Sequence, residues 1–224
     1  MNDEFAKAIT LVANTALDEL EQACQQGAVS RTPVSEAHYI NAWVTKAIKA
    51  QRFPHCVAKT LLFWQQQARS LGKNANLPQT LNRIISTYAK VLDNQNNLTK
   101  VYDSQLQTVL EQLVTDDWNV IDQVELARKM KLNSTGQDSL IICAKQYAHA
   151  IEPSEQRLIR PLSLYVRGNV SQLVDLAYQQ KLLLFKMSDY KSKVKFHGEY
   201  VVFPSNKGDF LPEFPSLNVT SPAN

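Results

Sequence analysis

Between Ala37 and Leu92 one pattern recurs three times: apolar residues three and four apart, a proline or glycine break, and cations on the opposite side, with no Asp or Glu in 56 residues. That spacing puts the apolar side chains on one helix face, so the stretch can bury them only as a run of amphipathic helices. A helix before it, over about residues 3 to 25, follows from Phe5, Ile9, Val12, Ala16 and Leu20 and ends at Gly27. The Ser30–Ser35 linker contains Pro33, and its last serine is placed to cap the next helix. That second helix, about 36 to 52, turns Ile40, Trp43, Val44 and Ala47 inward and Lys46, Lys49 and Arg52 outward. Phe53 and Pro54 break it. In a third helix Val57, Leu61, Trp64, Ala68 and Leu71 form the buried stripe, Phe63 stands at its border, and Lys59, Arg69 and Lys73 lie opposite. Gly72 ends it and Pro78 opens a fourth, with Leu81, Ile85, Tyr88 and Leu92 inward and Arg83 and Lys90 turned away.

The charge is segregated rather than large. The chain is only +3 overall, and outside the acid-free stretch 168 residues carry 16 Lys or Arg against 21 Asp or Glu. A segregated positive field points to an anionic partner, either a polyanion or an acidic protein surface. Lysine-rich helix faces also serve solubility, and an acidic neighbouring domain can neutralise them.

Length bounds the organisation: 224 residues with 44% hydrophobic content can bury one good core or two modest ones. Two domains are expected, a helical one over residues 1–98 and an α+β one over 99–204, followed by a loosely packed, proline-containing tail, 205–224. The first 25 residues carry Asp3, Glu4, Asp18, Glu19 and Glu21 and do not read as a secretory signal. Apolar runs such as Leu140–Ala144 and Leu182–Phe185 fall far short of the roughly 20 residues of a membrane helix. Cys24, Cys56 and Cys143 are odd in number and widely separated, which favours reduced thiols in the cytoplasm over a disulfide framework or a zinc site.

After the polar break Asn94–Asn97 a short helix is expected over about 104 to 115, with Leu106, Val109, Leu110 and Leu113 inward. The period then shifts toward two at Val124, Leu126, Met130 and Leu132, and Asn133–Asp138 reads as a turn. Strands are expected at Leu140–Ala150 and Leu162–Val166 on either side of a turn at Glu152–Glu155. A helix of about residues 170 to 179 and a final hairpin, Leu182–Met187 with Lys193–Phe203, complete a mainly antiparallel second half. Alternation puts Lys191, Lys193, Lys195 and His197 on one hairpin face and Val194, Phe196, Tyr200 and Val202 on the other, with Gly198 a candidate bulge. A basic hairpin after a helix resembles the wing of a winged-helix domain, although the preceding elements read as strands rather than as the two helices that would complete it. The same lysines also suit an edge strand protected against aggregation.

Catalytic signals are sparse: there is no glycine-rich phosphate loop, nucleophile elbow or His pair at ligand spacing. His55 and Cys56 are adjacent and point about 100° apart on a helix. His38 and His149 stand alone. Asp116, Asp117, Asp122 and Glu125 are clustered enough to raise a magnesium-dependent nuclease, against the plainer reading of an acidic helix end. Asp189 and Glu199 have the spaced acids of restriction-type nucleases but Val201 where that pattern needs lysine, so the transfer fails. No cofactor is implied. Arg167, beside Gly168 and Asn169 at a helix start, either helps to hold a phosphate there or adjoins a capped start paired to a carboxylate.

Three segments, Trp43–Phe53 (WVTKAIKAQRF), Tyr165–Asn169 (YVRGN) and Asp189–Pro204 (DYKSKVKFHGEYVVFP), resemble an uncharacterised family of small proteobacterial proteins of unknown function. The resemblance implies a bacterial cytoplasmic protein and supplies no catalytic residues. From the residues themselves the leading expectation is a non-enzymatic, regulatory binder of DNA or RNA. It would use Lys46, Lys49, Arg52, Lys59, Arg69 and Lys73 on the helices, with Arg167, Lys191, Lys193, Lys195 and His197 in the second half. The alternative is an interaction or assembly module for an acidic protein. A metal-dependent nuclease ranks third. Nothing in the sequence sets the oligomeric state.

Overall fold

The computed structural model describes residues 4–126, 136–189 and 192–217. It is an α+β protein whose contacts divide into two compact units, residues 1–90 and 91–224.

The first unit is helical: α1 (Glu4–Gln25), α2 (Pro33–Lys49), α3 (Ala58–Leu71) and α4 (Leu77–Lys90), with 3₁₀ turns at His55–Val57 and Gly72–Ala75. Ile9, Val12, Ile40, Val44, Trp64, Leu77, Leu81 and Ile84 are fully or almost fully buried, and α1 packs chiefly on α4 and α2 on α3. Helix α2 starts three residues earlier than its apolar pattern indicates. Thr32, not Ser35, is its cap, the Thr32 hydroxyl accepting from the Ser35 amide at 3.3 Å, and Pro33 fits the first turn, where no donor is required. The helix also ends earlier, at Lys49, and Gln51 turns the chain with φ 48°. In α3 only Leu61 and Trp64 are fully buried; Leu71 lies outside the core, as do Leu62 and Phe63, both more than half exposed.

The second unit runs α5 (Asp103–Thr115), β1 (Asn119–Val124), β2 (Ser139–Cys143), α6 (Ala144–Ala150), β3 (Ile151–Glu152), β4 (Arg157–Leu158), β5 (Leu162–Arg167), α7 (Val170–Gln179), β6 (Leu184–Ser188) and β7 (Gly198–Val202). Strands order as β1-β2-β5-β7-β6, parallel only between β1 and β2, while β3 and β4 form a separate two-stranded ribbon. One sheet face carries Leu140, Ile142, Leu164, Val166, Tyr200 and Val202 against α5 and α7. On the other, Ile141 and Tyr165 are covered by Leu126 and Val194. This is the period-two alternation of a sheet with apolar cover on both sides.

Three expectations are corrected. The strand expected over Leu140–Ala150 ends at Cys143, and Ala144–Ala150 is helical. Ala, Lys and Gln favour that helix intrinsically. Its Tyr147 reaches α5, where the Tyr147 hydroxyl donates to Asp103 and accepts from Gln107 at 2.7 Å. Strand β1 begins at Asn119, before the alternating residues at Val124 and Leu126; Met130 and Leu132 lie outside the described residues. Finally, residues 205–217 do not pack loosely. Gly208 lies on the Phe185 ring, which also meets Phe203 and Phe210 edge-on at 5.1 and 5.5 Å. Buried Asn206 accepts from the Leu183 amide at 2.8 Å and donates to the Lys181 carbonyl at 2.9 Å. Further on, the Glu213 amide donates to the Leu184 carbonyl of β6 at 2.8 Å.

Candidate functional site

In the helical unit Lys46 and Lys49 stand on α2, Lys59 and Arg69 on α3, and Lys73 in the turn after it; all five are exposed. None has a carboxylate within ion-pair distance among the described residues. Arg52 is different. It follows the end of α2, and its guanidinium meets Glu19 of α1 at 2.6 Å while lying 5.7 Å from the Trp43 ring centroid and 5.6 Å from that of Phe53. The second Glu19 oxygen accepts from Trp43 Nε1 at 2.6 Å. The Arg52 hydrogen bond, aided by that of Trp43, holds the Glu19 carboxyl below its ordinary range against the opposing effect of burial. Arg52 therefore joins α1 to the end of α2, and the five outer cations have no such tie.

In the second unit Lys193 and Lys195 are exposed, and Lys191 lies outside the described residues. His197 does not share their face. Strand β7 begins only at Gly198, so residues 192–197 do not alternate as a strand: Val194 and His197 are fully buried and Phe196 is 51% exposed. His197 Nδ1 bonds to the Lys195 carbonyl at 3.0 Å, which fixes the proton on that nitrogen and leaves Nε2 to accept from the Ser139 hydroxyl at 2.9 Å. Burial lowers the His197 pKa, and the Arg167 charge adds to that effect against the Lys195 carbonyl. The histidine clips the β7 approach to β2. A Ser–His contact of this kind also has the geometry of an activated nucleophile, but Ser139 is 3% exposed and no substrate reaches it in this arrangement. Sequence reasoning missed the pair because 58 residues separate its members.

The start of α7 answers the question posed by YVRGN. Asn169 caps the helix through the Gln172 amide at 3.2 Å, and the Asp138 carboxylate accepts from the Asn169 amide at 3.0 Å. Gly168, at φ 126°, leaves room for Asp138; a Cβ there would stand 2.1 Å from a carboxylate oxygen. The Asn169, Val170 and Gln172 amides are already bonded, to Asp138, to the Gly168 carbonyl and to Asn169, which is the capped start paired to a carboxylate. Arg167 lines a cavity of about 530 Å³ together with Val166, Val170, Asp189, Phe196 and Tyr200.

Two members of the acidic cluster, Asp116 and Asp117, are bonded to side-chain amides. Asp116 accepts from Gln172 at 2.7 Å and from Gln112 at 3.0 Å, and Asp117 from Gln137 at 3.1 Å. Among the described residues no group of three His, Cys, Asp or Glu side chains is arranged to hold a metal ion. Nor is any described helix long and apolar enough to cross a membrane.

These features define an α+β protein with exposed cations in a helical unit and an aromatic-lined cavity in a sheet unit. Its sequence matches, over residues 4–215, the model of a family described as "Protein of unknown function (DUF2913)", and the chain belongs to that family. No curated protein and no solved structure matches it.

Proposed function

We propose that the protein is a non-enzymatic, regulatory nucleic-acid-binding protein of the bacterial cytoplasm. The observation that carries this reading is the set of five exposed cations, Lys46, Lys49, Lys59, Arg69 and Lys73, in a stretch with no acidic residue and with no carboxylate partner among the described residues. Cations without a carboxylate partner can neutralise phosphates directly, and the release of the counterions condensed on the nucleic acid drives that binding. Three free cysteines support a reducing compartment.

Fluorescence anisotropy of labelled single- and double-stranded DNA and RNA, at two salt concentrations, tests the reading. Binding should weaken steeply with salt. In a variant with Lys46, Lys49, Arg69 and Lys73 changed to Gln the salt slope should fall by up to about 3.6, at roughly 0.9 for each duplex phosphate no longer neutralised. Absence of binding at low salt, or equal binding by the variant, overturns it.

A second reading, docking of an acidic protein, is favoured by Leu62 and Phe63, which stand 53% and 55% exposed on α3. Phosphates leave such side chains uncovered, whereas a protein partner buries them. Changing both to Ala should leave nucleic-acid affinity unchanged and abolish a protein complex.

A further inference from the structure

The cavity beside Arg167 is lined by residues of the sheet unit. It lies among the end of β5, the start of α7 and the approach to β7, and its volume, about 530 Å³, is that of a small-ligand site. Val166, Val170 and Tyr200 give it apolar wall, Gly198 presents backbone without a side chain, and Arg167, Asp189 and Phe196 supply the functional groups.

Phe196 is the informative residue. It has φ 68°, a left-handed conformation that a bulky L-residue rarely adopts, and its ring is half exposed, so neither backbone preference nor core burial accounts for a phenylalanine here. Both sides of it are fixed. Val194 is fully buried, and His197 is held by Ser139 and by the Lys195 carbonyl. The ring is thus presented from a rigid turn, with Lys195 Nζ 5.0 Å from its centroid. A half-exposed aromatic ring lining the same cavity as the Arg167 side chain suits a planar ring joined to an anion. Asp189 on the cavity wall, its carboxylate paired with Lys186, adds an acceptor that a ring amino group can meet.

We propose that this cavity binds one nucleotide unit, its base stacked on the ring face of Phe196 away from Lys195 and its phosphate toward Arg167. The unit is either a free nucleotide or an unpaired nucleotide of a single strand. The site is independent of the α2 and α3 cations.

The test is titration of the full chain with AMP, CMP, ribose 5-phosphate and a single-stranded hexanucleotide, followed by NMR shift changes and calorimetry. AMP or CMP should saturate and ribose 5-phosphate should bind at least tenfold more weakly. Phe196→Ala should cost about tenfold, Phe196→Tyr should restore affinity, and Arg167→Gln should weaken the nucleotide without affecting adenosine. The Lys46/Lys49/Arg69/Lys73 variant should bind AMP like the parent, which separates failure of this site from failure of the helical one. Phe196-sensitive binding of the hexanucleotide alone assigns the site to a strand, and of AMP alone to a free nucleotide. Saturation by neither at millimolar concentration, or binding indifferent to both Phe196→Ala and Arg167→Gln, overturns the proposal.

Discussion

A buried histidine that donates from one ring nitrogen and accepts at the other must rearrange the second contact to become charged. His197 accepts the Ser139 hydroxyl at Nε2, so protonation there requires that hydroxyl to turn and accept instead, inside a buried site. Its pKa is lowered by burial first and by Arg167 second. A base with a depressed pKa binds its proton more readily when unfolded, so its contribution to stability is complete above its ordinary value of 6.5 and is lost as pH falls through the folded value. Urea unfolding at pH 8, 6.5 and 5 should show midpoints falling on the acid side. His197→Gln should be less stable at pH 8 by about 1–3 kcal/mol, for the buried hydroxyl left unpaired, and flatter with pH. Glu19 works in the same direction at lower pH. The Arg52 contact depresses it below 4.5, so the α1–α2 tie is intact above that pH and is lost on further acidification. Glu19→Gln should remove that part of the acid dependence. The outer cations were legible in the sequence because they rest on composition and helical phase alone. The partners of Arg52 and His197 were not, because each contact is tertiary, and strand parity misplaced His197 by assuming that β7 starts before Gly198.

Among the elements, α7 is the one whose beginning depends most on a single backbone choice. Gly168 sits at φ 126°, and a methyl group there would overlap the Asp138 carboxylate that bonds to the Asn169 amide. Gly168→Ala should therefore lose about 2 kcal/mol or more, combining backbone strain with a displaced cap partner. Thermal unfolding measures the loss, and Asp138→Ala in the same background should recover part of it. Helix α7 was readable from its own residues, Val170–Gln179, because the apolar pattern and Asn169 agree. Helix α6 was not. Its seven residues follow Ile141, Ile142 and Cys143 without a polar break, and a helix of two turns is too short to impose a period on such a run. The Tyr147 contacts with Asp103 and Gln107 that hold it lie some forty positions back, at separations of 44 and 40 residues.

Over the whole molecule, charge and contacts divide at nearly the same place. Residues 1–90 carry 10 Lys or Arg and 6 Asp or Glu, and residues 91–224 carry 14 and 15. Each unit has its own buried apolar set, as a domain able to fold alone requires. Residues 1–90 expressed alone should give a helical circular-dichroism spectrum and a cooperative thermal transition; a non-cooperative melt would show that the helices depend on the rest of the chain. The sheet unit differs in the order in which its parts exist. Edge strand β6 receives the Glu213 amide at Leu184, and Phe185 receives Gly208 and Phe210. During synthesis the helical unit can close early, but these contacts on β6 wait for residues made after every strand is complete. A chain cut between Val202 and Glu213 would therefore keep every strand yet leave the β6 edge open, ready to pair with a neighbour.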